Sequence, residues 1–161
     1  MGVFRIKADN FEWIGGAADD PQDLCLHGHV TVQFGDTVLK DTGTVSALYL
    51  LKTLTNDKLM AEYDIQMIPC CGHTLIANDD LTEVAISGCD TGTDWTTIHE
   101  GNAVRFILPS GQEEVVTLRE YQYEVLDFAK SVKRFYDACT PKEIPENEFD
   151  RNGYTAFWKE W

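Results

Sequence analysis

Leu24-Cys-Leu-His-Gly-His-Val-Thr-Val-Gln-Phe34 alternates without a break. Leu24, Leu26, Gly28, Val30, Val32 and Phe34 fall on one face, and Cys25, His27, His29, Thr31 and Gln33 on the other, because successive strand side chains point to opposite sides. Gly35-Asp36 has the chemistry of a hairpin turn and leads into a second extended run at 37–40. Upstream, residues 3–14 read as one or two strands broken at Ala8 and Asp9, and GGAADDPQ at 15–22 reads as a surface loop.

Downstream the period changes. Val45, Leu48 and Leu51 predict a short buried helix over about 44–54, with Thr44 as its N-cap. Residues 59–67 fit neither period, and Pro69-Cys-Cys-Gly-His73 reads as a kinked connector. Short strands are expected at 74–77, 83–87, 95–99, 103–108 and 113–117, the last three as a meander. Thr117-Leu-Arg-Glu120 matches a capping box. Beyond it Tyr121, Val125, Phe128, Val132, Phe135 and Cys139 step by four and three, which predicts a long helix over about 118–138. Pro141 and Pro145 stop it, and the aromatic tail at 147–161 is expected to dock on the body. The expected fold is α+β: a single globular domain over 1–161 with a mostly antiparallel sheet, one short helix and one long C-terminal helix.

Charge is distributed unevenly. Between Ala61 and Leu118 the chain carries ten carboxylates and one base, Arg105, so this segment holds nine of the fourteen net negative charges. Such a field attracts cationic partners and repels nucleic acid and anionic membrane surfaces. Asp79, Asp80, Asp90, Asp94 and Glu100 fall in predicted loops there. With Trp95 as an aromatic anchor they form the candidate contact surface for a basic protein. The bland alternative is a solvated acidic rim with Trp95 in the core. The sequence leaves self-association open, and the aromatic tail is the candidate surface for it.

The second candidate is a thiol–imidazole cluster. Cys25, His27 and His29 share a strand face, and Cys70, Cys71 and His73 crowd one connector. Zinc takes four N/S ligands at tetrahedral corners. Two of the first set with one or two of the second make a candidate zinc centre, structural or that of a metal-dependent hydrolase. The competing reading is of satisfied structural residues, since cysteine packs as a small apolar side chain. A thiol nucleophile, Cys70 or Cys71 with His73, is opposed by the acidic surroundings, which make the thiolate rarer. No G-x-S-x-G, phosphate-binding glycine loop or H-E-x-x-H motif is present. Asp90-Thr-Gly-Thr-Asp94 lacks the order of a calcium-binding loop. The five cysteines, Cys25, Cys70, Cys71, Cys89 and Cys139, occur without an apolar leader. They read as reduced thiols, and the expected compartment is the cytoplasm.

In Leu24-Cys-Leu-His-Gly-His-Val30, Ile68-Pro-Cys-Cys-Gly-His73, Ile86-Ser-Gly-Cys89 with Trp95, and the segments Asp150-Arg-Asn-Gly-Tyr154 and Trp158-Lys-Glu-Trp161, the chain resembles small acidic bacterial cytosolic domains. Some families of that kind are immunity proteins that neutralise a cognate toxin. The resemblance lies in size, acidity and cytosolic character. It implies a non-catalytic inhibitor of a basic partner, needs no cofactor, and assigns no site residues.

Overall fold

The computed structural model describes residues 1–16, 19–60, 66–70, 74–88 and 91–161. Among them the fold is α+β, with eight strands in three antiparallel sheets and three helices. The first sheet joins β1 (Phe4–Trp13), β2 (Leu26–Phe34) and β3 (Thr37–Thr44). Where the sequence suggested a break, β1 continues through a bulge between Asp9 and Glu12, with Asn10 at φ 50°. A bulge adds a residue and sharpens the local twist without ending the strand.

The short helix, α1, covers Leu48–Lys52, less than the spacing predicted. Thr44 closes β3 instead of capping the helix. Its amide donates to the Pro69 carbonyl at 2.8 Å, and the Val45 amide donates to Leu26 at 3.1 Å. Those bonds keep the chain extended until Ala47, which turns it at φ 58°.

β4 (Thr74–Ala77) and β5 (Val84–Ser87) form a two-stranded sheet, and β6 (Thr96–Glu100), β7 (Ala103–Ile107) and β8 (Glu113–Thr117) form the meander. α2 covers Leu118–Ala138, with the Thr117 side chain accepting from the Glu120 amide at 3.1 Å. Glu120 does not complete the reciprocal box. Its carboxylate accepts from the Phe4 amide and from Arg5 at 2.8 Å, pinning α2 to β1.

The core is centred where the two three-stranded sheets meet α2. Phe4, Phe34, Trp95, Phe106 and Tyr121 are fully buried. Their rings contact one another at centroid distances of 5.0–5.5 Å, mostly tilted or edge-on. Such pairs add about 0.5–1.5 kcal/mol each beyond their burial.

The aromatic tail forms a helix, α3 (Glu148–Glu160), which lies against β4. Asn147 caps it by accepting from the Asp150 amide at 3.2 Å, and Glu148 and Asp150 in its first turn favour the positive helix end. Tyr154, Phe157, Trp158 and Trp161 recur three and four residues apart, as one helical stripe requires. Trp158 packs edge-on against Tyr136, and the Trp161 indole donates to the Ser46 carbonyl at 2.8 Å. Glu160 accepts from Lys52 at 2.6 Å and from the Val84 amide at 2.8 Å. Gly153 sits on the Leu75 carbonyl, where a Cβ would stand 2.1 Å from the oxygen.

Candidate functional site

The alternation of β2 places its apolar face in the core, but the second face is covered at one end only. Gly43 lets the Pro69 carbonyl approach β3, since a Cβ there would lie 2.6 Å from that oxygen. Residues 69–70 therefore roof the start of β2. Cys25 and His27 are buried under this roof at 3% and 9% exposure, although they share a face with the exposed His29.

Cys25 Sγ lies 3.5 Å from His27 Nδ1 and 3.9 Å from the Thr44 hydroxyl. His27 Nε2 lies 3.2 Å from the Cys70 carbonyl oxygen. A carbonyl only accepts, so Nε2 carries the proton, and in the neutral ring Nδ1 presents its lone pair to the thiol. The structure thus brings Cys25 and His27 together with the main chain of Cys70. It does not bring His29, whose ring engages Asn10 at 3.0 Å and lies 3.9 Å from the Asp9 carboxylate. Cys71 and His73 lie outside the described residues. Among the described residues no three His, Cys, Asp or Glu side chains group to hold a metal ion.

Of the residues expected to contact a partner, two are buried. Asp79 and Asp80 are exposed at the β4–β5 turn, and Glu100 ends β6, where it accepts from Arg105 at 2.7 Å. Trp95 is wholly buried against Phe34, so it belongs to the core and cannot anchor a partner. Asp94 is 8% exposed, pairs with Lys58 at 2.5 Å and accepts from the Met67 amide at 3.0 Å, an internal role. Asp90 lies outside the described residues.

Folding builds a different acidic feature. A cleft of about 780 Å³ opens between the loop before β2, the start of β4 and the segment leading into α3. Its walls carry Asp20, Asp23, Glu143, Glu146 and Asp150, with no Lys or Arg among the described lining residues. Several bonds hold the loop and the α3 approach together, among them the Glu143 amide donating to the Pro21 carbonyl at 2.9 Å and Gln22 donating to Glu143 at 3.2 Å.

The neighbouring bases are engaged by other groups. Lys142 stacks its ammonium 3.4 Å from the Trp13 ring centre and donates to the Asp20 carbonyl, leaving its side chain 1% exposed. Arg151 donates to the Glu146 carbonyl at 2.8 Å. Ile14 and Ile144 stand exposed at the cleft, at 47% and 65%. Along the same α3–β4 seam, a depression of about 230 Å³ holds Asp79 with the exposed Phe149. Asp19, beside the cleft loop, has its carboxyl pulled below the usual range by hydrogen bonds from Thr140, so it stays ionised.

Cys25 is among the residues that line this cleft, whereas His27 is not. No protein-family model, curated protein or solved structure matches this chain. Among the described residues no helix is long and apolar enough to cross a membrane.

Proposed function

We propose that this protein is a non-catalytic binding protein that docks a basic protein partner in the cleft between the β2 approach and α3, most concretely as an immunity-type inhibitor of a cationic toxin. The observation that carries this reading is a cleft wall with five carboxylates and, among the described residues, no Lys or Arg, set beside exposed Ile14 and Ile144. Exposed apolar side chains ringed by one sign of charge suit an amphipathic cationic segment. The carboxylates speed encounter, and the apolar contacts retain the partner once it has docked. Asp79, in one depression with Phe149, and the exposed Asp80 next to it in sequence extend the surface along the seam.

The test uses a fluorescent peptide of alternating lysine and leucine, titrated at low and high salt. Each exposed ion pair is worth about 0.2–1 kcal/mol. Reversing two carboxylates removes two attractions and adds two repulsions, so Glu143→Lys/Glu146→Lys is expected to weaken binding about tenfold, near 1.4 kcal/mol. Its salt dependence should also flatten, because screening acts on the lost attraction. Asp36→Lys/Asp127→Lys changes net charge equally at exposed positions outside the cleft lining. If that control weakens binding as much, the peptide responds to net charge alone and the cleft assignment fails. Asp79→Lys/Asp80→Lys measures how far the surface extends.

A further inference from the structure

We propose that the apolar pocket beneath α3 is the socket for one branched aliphatic side chain, leucine in size, of the cationic segment that docks in the acidic cleft. The inference rests on the docking reading. The pocket has a volume of about 40 Å³, and its walls come from α2, α3, β2, β4 and β5. Leu24 and Leu75, both half-buried, line it and the cleft alike, so two leucine side chains form the boundary between them. The volume sets the size of the occupant. It exceeds the about 10–15 Å³ that one water needs and falls well short of the about 150 Å³ of a cavity that holds a benzene ring. A branched aliphatic end fits these limits, and an aromatic ring does not.

The walls suit such a group. Leu26, Val45, Ile86 and Val132 are buried and present aliphatic surface to the pocket. Polar groups along it are engaged with one another or with neighbours. The Tyr136 and Tyr154 hydroxyls bond each other at 2.7 Å, the Trp161 indole donates to the Ser46 carbonyl at 2.8 Å, and the Lys133 ammonium pairs with Asp137. An apolar occupant therefore takes no partner from these groups, and its burial is favoured in proportion to the apolar area it removes from water. The neighbouring cleft decides which chain supplies it. Asp23, Glu143 and Asp150 draw a segment rich in Lys or Arg, and that segment brings its own apolar side chains to Leu24 and Leu75. The boundary is made of side chains, which turn aside by a change of rotamer while α3 stays in place.

Methyl resonances of the labelled full-length protein, followed while lysine–alanine peptides are added, test the socket. The peptides differ at one central position, which holds alanine, leucine or phenylalanine. The leucine peptide is expected to bind at least about tenfold more tightly than the alanine peptide, and the phenylalanine peptide within about twofold of alanine, the discrimination of a pocket sized for an aliphatic group. The methyl groups of Val45, Ile86 and Val132 should shift with the leucine peptide and stay in place with the alanine peptide. Equal affinities for all three peptides, each still weakened by Glu143→Lys/Glu146→Lys, would overturn the socket and leave the cleft as the docking site. A phenylalanine peptide bound as tightly as the leucine peptide would also overturn it, because that preference belongs to an open apolar surface. No binding of any peptide, or binding indifferent to the double variant, would overturn the docking reading and the socket with it.

Discussion

Replacing Gly153 with alanine puts two opposed effects of known size on one atom. Alanine is the better helix former by about 0.8–1.0 kcal/mol, so on propensity alone Gly153→Ala stabilises α3. In the structure the new Cβ would stand 2.1 Å from the Leu75 carbonyl oxygen and 2.8 Å from both the Leu75 carbonyl carbon and its Cβ. An unforced carbon–oxygen contact is about 3.3–3.6 Å, so the shortfall exceeds about 1 Å. Two of the obstructing atoms belong to the main chain and cannot rotate aside. The helix must lift from β4, straining the Trp161–Ser46 and Glu160–Val84 bonds that hold its far end. Overpacking costs about 1–3 kcal/mol, and a shortfall of this size against main-chain atoms belongs in the upper half of that range, which outweighs the propensity gain and leaves a net loss of about 1–2 kcal/mol. For a chain of this size that lowers the melting temperature by about 2–8 °C. Urea and thermal unfolding measure it, with Thr155→Ala, at an exposed position of α3, as the propensity control. A Gly153→Ala variant as stable as the parent, or more stable, would refute the close approach of α3 to β4. Because α3 carries Asp150 and Phe149, the lifted helix should also weaken binding of the basic peptide.

Two further outcomes follow from buried polar groups. Asp94→Asn leaves the Lys58 ammonium, 11% exposed, without its counter-charge. The expected loss is about 3 kcal/mol, at the lower end for a broken buried pair. Lys58→Met/Asp94→Asn should recover part of it, and equal losses in the single and double variants would contradict the pairing. Burial raises the pKa of Tyr121 and Tyr136, so the folded chain keeps protons that the unfolded chain releases above a pH of about 10. The stability tied to these phenols is complete below about pH 10 and falls as pH rises further. Circular dichroism between about pH 9 and 12 should therefore show a shallower alkaline loss for Tyr121→Phe than for the parent. Parallel curves would contradict it.

The local signals that proved readable were those written in a single segment. The period of two in β2, the hairpin turn after it and the cap with its four-and-three stripe in α2 each depend on neighbours in sequence. α3 carried comparable signals, the Asn147 cap and the Tyr154–Phe157–Trp158–Trp161 spacing, but its aromatic density drew attention to docking and away from period. Alternation correctly grouped Cys25, His27 and His29. It had no means of showing that Pro69 and Cys70 cover only one end of that face, which separates His29 from the other two. Charge density along the chain pointed to 61–118, whereas the cleft draws Asp20 and Asp23 from one flank and Glu143, Glu146 and Asp150 from the other. Those flanks look balanced in sequence because their bases are counted equally with their acids. In the fold Lys142 and Arg151 are spent on an aromatic ring and on backbone carbonyls, while the acids face the cleft.

The docking surface is tested most directly by following the backbone amide resonances of the labelled protein while the lysine–leucine peptide is added. The account predicts saturable shifts concentrated at the residues of the cleft, among them Asp23, Glu143, Ile144 and Asp150, whose midpoint moves to about tenfold more peptide in Glu143→Lys/Glu146→Lys. Shifts scattered evenly over the exposed carboxylates, or centred on the β6–β7 turn around Glu100, would contradict it.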